Sequence, residues 1–182
     1  MAPGDATTTG ASVDDVSILC DNDPNGTRSP SGKDFLLASD TSATTTDLAY
    51  YQDRINRAQQ LIAEAGIDWL LVGPSADLIY LSDYDSHGSE RLNLLMIPAE
   101  GSPSLVVPTL ESPLVGKAGE LAAIHPWNDG ENPIDLVATI IGDASGKKIA
   151  VGNHLWSAFL LRMQNALPGN SWEEAVPLLR SM

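Results

Sequence analysis

The chain has 182 residues, a length that fits one domain, with or without a tail. Its 24 acidic and 10 basic side chains give a net charge of −14. This charge argues against nucleic acids and anionic membranes as partners, because phosphate groups bind to basic surfaces. No apolar run approaches the roughly 18 residues of a transmembrane helix, and the amino terminus shows no signal-peptide pattern. These features predict a soluble, cytoplasmic protein.

Residues 1–46 differ in composition from the rest of the chain. They are rich in Thr, Ser, Asp, Gly and Pro and lack apolar periodicity, which predicts a disordered or poorly ordered acidic tail. Residues 21–26 resemble the start of a calcium loop, but the twelfth position is Gly32 instead of a bidentate Glu, so no calcium site is predicted. Cys20, the single cysteine, is expected to be a reduced thiol without a catalytic role.

The ordered part is predicted to begin with a helix over residues 47–65. Its apolar side chains recur every three or four positions and would form one buried face. These side chains are Leu48, Tyr51, Ile55, Ala58, Leu61, Ile62 and Ala65. Thr46 or Asp47 is suited to cap the start of the helix, and Gly66 to end it, because glycine adopts the left-handed conformation without strain.

Beyond this helix, short apolar runs alternate with helical patterns. Strands are predicted at residues 69–72, 92–97, 105–109, 122–125, 148–152 and 172–176. Helices are predicted at residues 76–81, 111–120, 134–143 and 155–167. Residues 98–103 form a turn of hairpin length between two of the strands. The alternation, with one hairpin inserted, predicts a three-layer α/β domain with a mixed sheet.

The loop of residues 83–91 carries the polar side chains of greatest functional interest. His87, Glu90 and Arg91 stand just before the apolar run 92–97. These residues can have a functional or a purely structural role. In the structural alternative, Arg91 pairs at the surface with Glu90 or Asp85, and His87 is a solvated loop residue.

Other candidate residues favour structural roles. Asp83 and Asp85 lack a third ligand nearby, so no metal site is predicted for them. Ser75 is expected to cap a helix, because no nucleophile-elbow pattern surrounds it. A glycine-rich phosphate loop is also missing from the sequence, which disfavours nucleotide binding. Four large aromatic residues are expected to pack in or near the core: Trp69, Tyr80, Trp127 and Trp156.

The order and spacing of several short motifs resemble the amino-terminal domain of the creatinase/prolidase family, and most of all the version found in Xaa-Pro dipeptidases. The motifs are Tyr51-x-x-Arg54-Ile55, Gly66-Ile67-Asp68-x-Leu70-Leu71-Val72, Ser75-x-Asp77-x-x-Tyr80-Leu81-Ser82, Ser89-Glu90-Arg91-Leu92, Leu95-x-Ile97-Pro98 and Leu105-Val106-Val107-Pro108. The resemblance covers residues 47–182. It places the domain itself at residues 47–176, and residues 177–182 look like the start of a linker to a catalytic domain.

The resemblance implies a ribonuclease-H-like α/β fold without chemistry of its own. In the family, a carboxy-terminal domain holds two divalent metals, such as manganese, on two Asp, one His and two Glu, and the metals activate water against the X–Pro amide. Those ligands are not recognisable in these 182 residues, so the chain alone is predicted to be inactive and to carry no metal or cofactor. The implied partners are the catalytic domain in cis and a second copy in a homodimer.

The resemblance also implies a role for the loop. Arg91 falls where the family places an arginine that binds the substrate carboxylate, and His87 and Tyr84 would line the same cleft. Two alternatives stay open. One is a stand-alone module of the same fold that binds peptides or proteins without hydrolysis. The other is an unrelated small α/β domain that binds a small molecule at a sheet edge.

Overall fold

A computed structural model describes residues 41–142 and 145–182, with side chains from Asp47 onwards. Residues 1–40 of the predicted acidic tail, with Cys20 and the calcium-like motif, therefore lie outside the described residues, and residues 41–46 are helical. The helices are α1 (Thr41–Glu64), α2 (Ala76–Ser82), α3 (Ala118–Leu121), α4 (Pro133–Ile141), α5 (Ser157–Ala166) and α6 (Val176–Leu179). The strands are β1 (Trp69–Val72), β2 (Leu94–Pro98), β3 (Ser104–Pro108), β4 (Ala123–Trp127), β5 (Lys148–Val151) and β6 (Ser171–Glu174).

The six strands form one mixed sheet in the order β4-β3-β2-β1-β5-β6. Strand β2 runs antiparallel to both of its neighbours, and the β3–β4, β1–β5 and β5–β6 pairs are parallel. Five strands therefore point the same way and β2 points the other way. Leu70 of β1 pairs with Ile97 of β2 on one side and with Ala150 of β5 on the other. This mixed sheet with one hairpin confirms the predicted α/β fold class.

The sheet separates two apolar layers. On one face, α1, α2, α3 and α6 pack through side chains that include Ile55, Leu78 and Leu121. On the other face, α4 and α5 pack through side chains that include Val137 and Met163. Because both faces are covered, the central strands are continuous apolar runs, as expected for strands buried on two sides.

Two helix ends confirm the predicted capping chemistry. Ser75 caps α2 by accepting a hydrogen bond from the backbone N–H of Leu78 at 3.3 Å. Gly66 has φ +66° and follows the end of α1, where the Ile67 N–H donates to the Ile62 carbonyl at 2.8 Å. That bond, with the Gly66 N–H donating to the Ala63 carbonyl at 3.0 Å, defines a Schellman motif.

Most element boundaries differ from the prediction by one or two residues, and two elements differ by more. Helix α1 begins at Thr41 instead of residue 47, and so it includes a threonine-rich segment whose β-branched side chains gave no helical signal. The predicted helix 111–120 is instead a 3₁₀ turn over Ser112–Leu114 followed by α3. Gly116, with φ +52°, separates the two because a right-handed helix cannot continue through that conformation.

The predicted burial of the large aromatic residues is confirmed only in part. Trp127 is buried and Trp69 is half-buried, as expected. Trp156 is 49% exposed and Tyr80 is 38% exposed, so their prediction as core or near-core residues was wrong in part, although the Trp156 ring stacks on Phe159 with centroids 6.3 Å apart. Within the described part of the chain, no helix is both long enough and apolar enough to cross a membrane.

Candidate functional site

The reversal of β2 determines where the polar loop lies. Because β2 is antiparallel to the other strands, its amino end meets their carboxyl ends at the same edge of the sheet. Arg91 precedes β2, Asp129 follows β4, and Trp156 lies in the segment after β5. In open α/β sheets, ligands bind in the crevice at this carboxyl edge. The candidate site is therefore the edge that carries these three residues.

Arg91 makes a two-point ion pair with Asp129. Its Nε donates to Asp129 Oδ1 at 3.0 Å, and its Nη2 donates to Asp129 Oδ2 at 2.7 Å. The Arg91 side chain is 35% exposed and that of Asp129 is 64% exposed. Each partner favours the charged form of the other, so the pKa of Arg91 is raised and that of Asp129 is lowered. The expected pairing at the surface is present, but the partner is Asp129, not Glu90 or Asp85.

The backbone around Arg91 is held by a short local contact. The Arg91 N–H donates to Ser89 Oγ at 3.1 Å, and the same hydroxyl donates to the Arg91 carbonyl at 3.4 Å. Ser89 and Glu90 are the first two residues of the Ser-Glu-Arg-Leu motif. The serine thus has a structural role, which is to fix the turn that presents Arg91.

Tyr84 lies in a buried polar cluster beneath the loop. The residue is 4% exposed, and its hydroxyl lies 3.3 Å from Asn93 Oδ1 and 3.5 Å from Glu111 Oε2. Asn93 is also buried and donates from Nδ2 to Glu111 Oε2 at 2.9 Å. Burial raises the pKa of the Tyr84 phenol, as does the nearby Glu111 carboxylate to a smaller extent. In this structure, Tyr84 anchors the loop and its hydroxyl faces the interior.

His87 is exposed on the same loop, which agrees with its interpretation as a solvated loop residue. A narrow seam lies beside the loop, between Gly88 and Arg91 on one side and Trp156 and Phe159 on the other. It holds about 10 Å³, roughly the space of one water molecule. The structure thus brings Arg91 to the edge of this seam, places His87 in solvent and buries Tyr84.

Three site residues were missed by the sequence analysis. Asp129, Asn93 and Glu111 each flank a strand at the carboxyl edge, and that position is the signal that identifies them once the strand order is known.

Among residues 41–142 and 145–182, no group of three or more His, Cys, Asp or Glu side chains is arranged to hold a metal ion. Asp83 pairs instead with Lys117 Nζ at 2.8 Å.

The fold and the site together define a class: a three-layer α/β domain with polar side chains gathered at the carboxyl edge of a mixed sheet. Residues 54–182 match the family model described as the Creatinase/Prolidase N-terminal domain. The chain belongs to this family. The resemblance drawn from the short motifs is thereby confirmed.

Comparisons with individual proteins agree with this membership. A probable dipeptidase PepE of Mycobacterium bovis is 36% identical over 101 residues, which are 54% of this chain and 27% of that protein. The crystal structure of dipeptidase PepE from Mycobacterium ulcerans superposes with a TM-score of 0.68 and 32% identity, covering 75% of this chain and 37% of that one. The chain thus spans well under half the length of both.

A third comparison concerns the fold alone. The Creatinase/Prolidase N-terminal domain of an X-Pro dipeptidase from Streptococcus pyogenes superposes with a TM-score of 0.62 at 18% identity. The superposition covers 72% of this chain and 99% of the chain from S. pyogenes. The same architecture therefore exists as a separately crystallised domain.

Proposed function

We propose that this chain is the non-catalytic amino-terminal domain of an Xaa-Pro dipeptidase-like metallopeptidase and that its loop 83–91 binds the substrate carboxylate. The observation that carries the proposal is the placement of Arg91 at the carboxyl edge of the sheet, with its side chain 35% exposed. The family membership supports the peptidase context. His87 and Tyr84 belong to the same loop, His87 at its exposed surface and Tyr84 as its buried anchor.

Arginine suits this role for physical reasons. A guanidinium is planar, stays charged at every working pH and pairs with a carboxylate through two parallel N–H bonds. A dipeptidase must recognise a free carboxyl end, and such a fork distinguishes that end from an internal peptide bond. The Nε and Nη2 atoms face Asp129, and no acceptor within the described ranges lies in hydrogen-bonding reach of Nη1. In our proposal, an incoming carboxylate binds on that side.

The hydrolytic chemistry is assigned to a second domain. The chain spans 37% of the dipeptidase from M. ulcerans, which leaves length for a further domain in proteins of that kind. In our proposal that domain supplies two divalent metals that activate water, and this chain supplies binding. The proposal also includes assembly as a homodimer in the cytoplasm, so that the loop of one copy reaches the catalytic domain of another.

The test is Arg91→Ala in a chain that joins this domain to its catalytic domain. Loss of a charge-assisted carboxylate contact weakens the binding free energy by about 1.5–3 kcal/mol, so KM for an Xaa-Pro dipeptide should rise by about 10- to 150-fold. Arg57→Ala is the matched control, because Arg57 is an exposed arginine on α1, away from the loop. An unchanged KM in the Arg91 variant would remove the residue from the site.

The 182-residue chain by itself provides a second measurement. Supplied with manganese, it should show no X–Pro hydrolysis. Turnover by a pure sample would contradict the non-catalytic assignment. Binding of longer peptides by the isolated chain, without hydrolysis, would instead support the alternative of a stand-alone peptide-binding module.

A further inference from the structure

The contact between Arg91 and Asp129 uses one particular edge of the guanidinium. A guanidinium has a side edge, formed by Nε and one Nη, and an end edge, formed by the two Nη atoms. Asp129 takes the side edge, with contacts of 3.0 Å and 2.7 Å. The end edge is the one a second carboxylate can use. Both edges include Nη2, but each uses a different N–H group of that nitrogen, so the two carboxylates need not compete for the same hydrogen.

Asp129 is held in place by its own segment. Trp127 is buried, and its Nε1 donates to the Leu92 carbonyl at 3.0 Å. That bond joins the end of β4, two residues before Asp129, to the segment that carries Arg91. After it, the Asn128 N–H donates to Glu131 Oε2 at 2.7 Å and closes the turn around Asp129. A short carboxylate side chain on a held backbone segment thus meets a long, flexible side chain.

We propose that Asp129 is a positioning residue for Arg91: it holds the side edge of the guanidinium so that the end edge faces an incoming carboxylate. The inference rests on the proposed function, because it assumes that Arg91 binds the substrate. It adds a residue that neither the motif pattern nor the family membership names. Asp129 touches no substrate in this scheme and acts only through Arg91.

Removal of Asp129 has two opposite effects. It frees the long Arg91 side chain to sample other rotamers, which weakens carboxylate binding. It also removes a negative charge near the substrate carboxylate, which strengthens binding. The Asp129 side chain is 64% exposed, so water and salt screen its repulsion of a substrate carboxylate. The loss of orientation is therefore expected to be the larger effect.

The experiment uses the chain joined to its catalytic domain and an Xaa-Pro dipeptide. Asp129→Ala should raise KM by about twofold to fivefold, the range of exposed ion pairs, with a smaller change in kcat. Asp129→Glu keeps the carboxylate and should restore part of the loss. The matched control is Glu173→Ala, which breaks another half-exposed pair, to Lys148 at 2.9 Å, and should leave KM unchanged.

A double variant separates positioning from a general structural effect. In an Arg91→Ala background, Asp129→Ala should raise KM no further, because there is no guanidinium left to orient. A further rise there, or an unchanged or lowered KM in the single Asp129 variant, would overturn the inference. If Arg91→Ala alone leaves KM unchanged, the proposed function fails, and the substrate part of the inference fails with it.

A measurement without substrate completes the test. In the 182-residue chain, the Nε–H proton of Arg91 is bonded to Asp129 Oδ1 and should exchange slowly with solvent. Asp129→Ala should speed that exchange, and Glu173→Ala should not. Unchanged exchange in the Asp129 variant would show that Asp129 does not hold the side chain, whatever the kinetics of the full-length protein.

Discussion

Asp83 has two structural roles, one through its backbone and one through its carboxylate. It ends α2 in the left-handed conformation, with φ +61°, which is uncommon for a residue other than glycine. Its carboxylate also accepts from Lys117 Nζ at 2.8 Å and from the Tyr51 hydroxyl at 2.8 Å. Those two hydrogen bonds, that of Lys117 first, lower the pKa of Asp83, and the bond to Asp83 raises the pKa of Tyr51. The residue thus links α1, α2 and the segment before α3.

Asp83→Asn tests this link. Asparagine also tolerates the left-handed conformation, so the variant removes the charge and leaves the backbone in place. A lowered carboxyl pKa stabilises the fold above its ordinary value of 3.8, and this contribution is lost as the pH falls through the lower, folded-state value. At pH 7 the variant should lose less than about 1 kcal/mol, because the Asp83 side chain is 37% exposed.

The measurement is urea denaturation of both proteins across a pH series. The free-energy difference should be present at pH 7, shrink as the pH falls below the ordinary value of 3.8, and disappear only below the lower folded-state pKa, where Asp83 of the folded wild type is protonated as well. Asp85→Asn is the control, since Asp85 is an exposed residue of the same loop. A difference that persists unchanged at acid pH would rule out the charge as its cause.

The residues of the candidate site were predictable to different degrees. Arg91 was identified because it stands in a motif before an apolar run, and both are local features of the sequence. Asp129 was not, because its contact with Arg91 depends on the order β4-β3-β2 in the sheet. Tyr84 was placed on the right loop, but its orientation depends on two partners that flank other strands, Asn93 and Glu111.

At the scale of elements, the end of α1 gives a direct test of capping. Nothing lies within 4 Å of a Cβ atom placed on Gly66, so a substitution there meets conformational strain and no clash. Gly66→Ala should cost about 1–2 kcal/mol in the free energy of unfolding, because φ +66° brings Cβ close to the backbone. Gly66→Asn should cost less, since asparagine tolerates this conformation.

Thermal and urea unfolding of the two variants measure that difference. Equal losses for Ala and Asn would mean that the left-handed conformation is not the cause. Gly119 is a useful control, because it lies within α3 without a positive φ. A Cβ atom added at Gly119 would lie 3.3 Å from Val115 Cγ2. The change in stability of Gly119→Ala should therefore measure the effect of tight packing instead of backbone strain.

Elements with strong local signals were predicted from the sequence. The strands at 69–72 and 148–152 and the helix that opens at Pro133 follow apolar runs or capping residues, and the structure confirms them. The segment 111–120 was predicted wrongly as one helix. Its apolar spacing is helical, but Pro113 lies in the first turn of the 3₁₀ helix and Gly116 turns left-handed. Backbone conformation outweighed side-chain periodicity there.

At the scale of the whole molecule, the last residues take part in the core. Leu178, Leu179 and Met182 are half-buried and pack against the layer that contains α1. The sequence predicts residues 177–182 as the start of a linker, and that boundary remains a prediction. A linker residue contributes little to stability, whereas a packed leucine contributes in proportion to the apolar area that it buries.

Leu178→Ala and Leu179→Ala distinguish these cases. Each should lower the free energy of unfolding by roughly 1–2 kcal/mol, less than for a fully buried leucine. Leu161→Ala on α5 is the control, because Leu161 is 58% exposed and should change stability by at most about 0.5 kcal/mol. Urea denaturation gives the values. Losses no larger than that of the control would assign residues 177–182 to a linker.

The strand order also has a consequence for how the chain folds. Leu95 of β2 pairs with Leu105 of β3, ten residues on, whereas Leu70 of β1 pairs with Ala150 of β5, eighty residues on. Loop-closure entropy grows with the logarithm of loop length, so the distant pairing costs about 2 kcal/mol more. We therefore expect the local strands β1 to β3 to pair first and β5 and β6 to add to them. Loop 83–91 lies between β1 and β2, inside that local segment, whereas its contact with Asp129 requires that β4 has also joined the sheet.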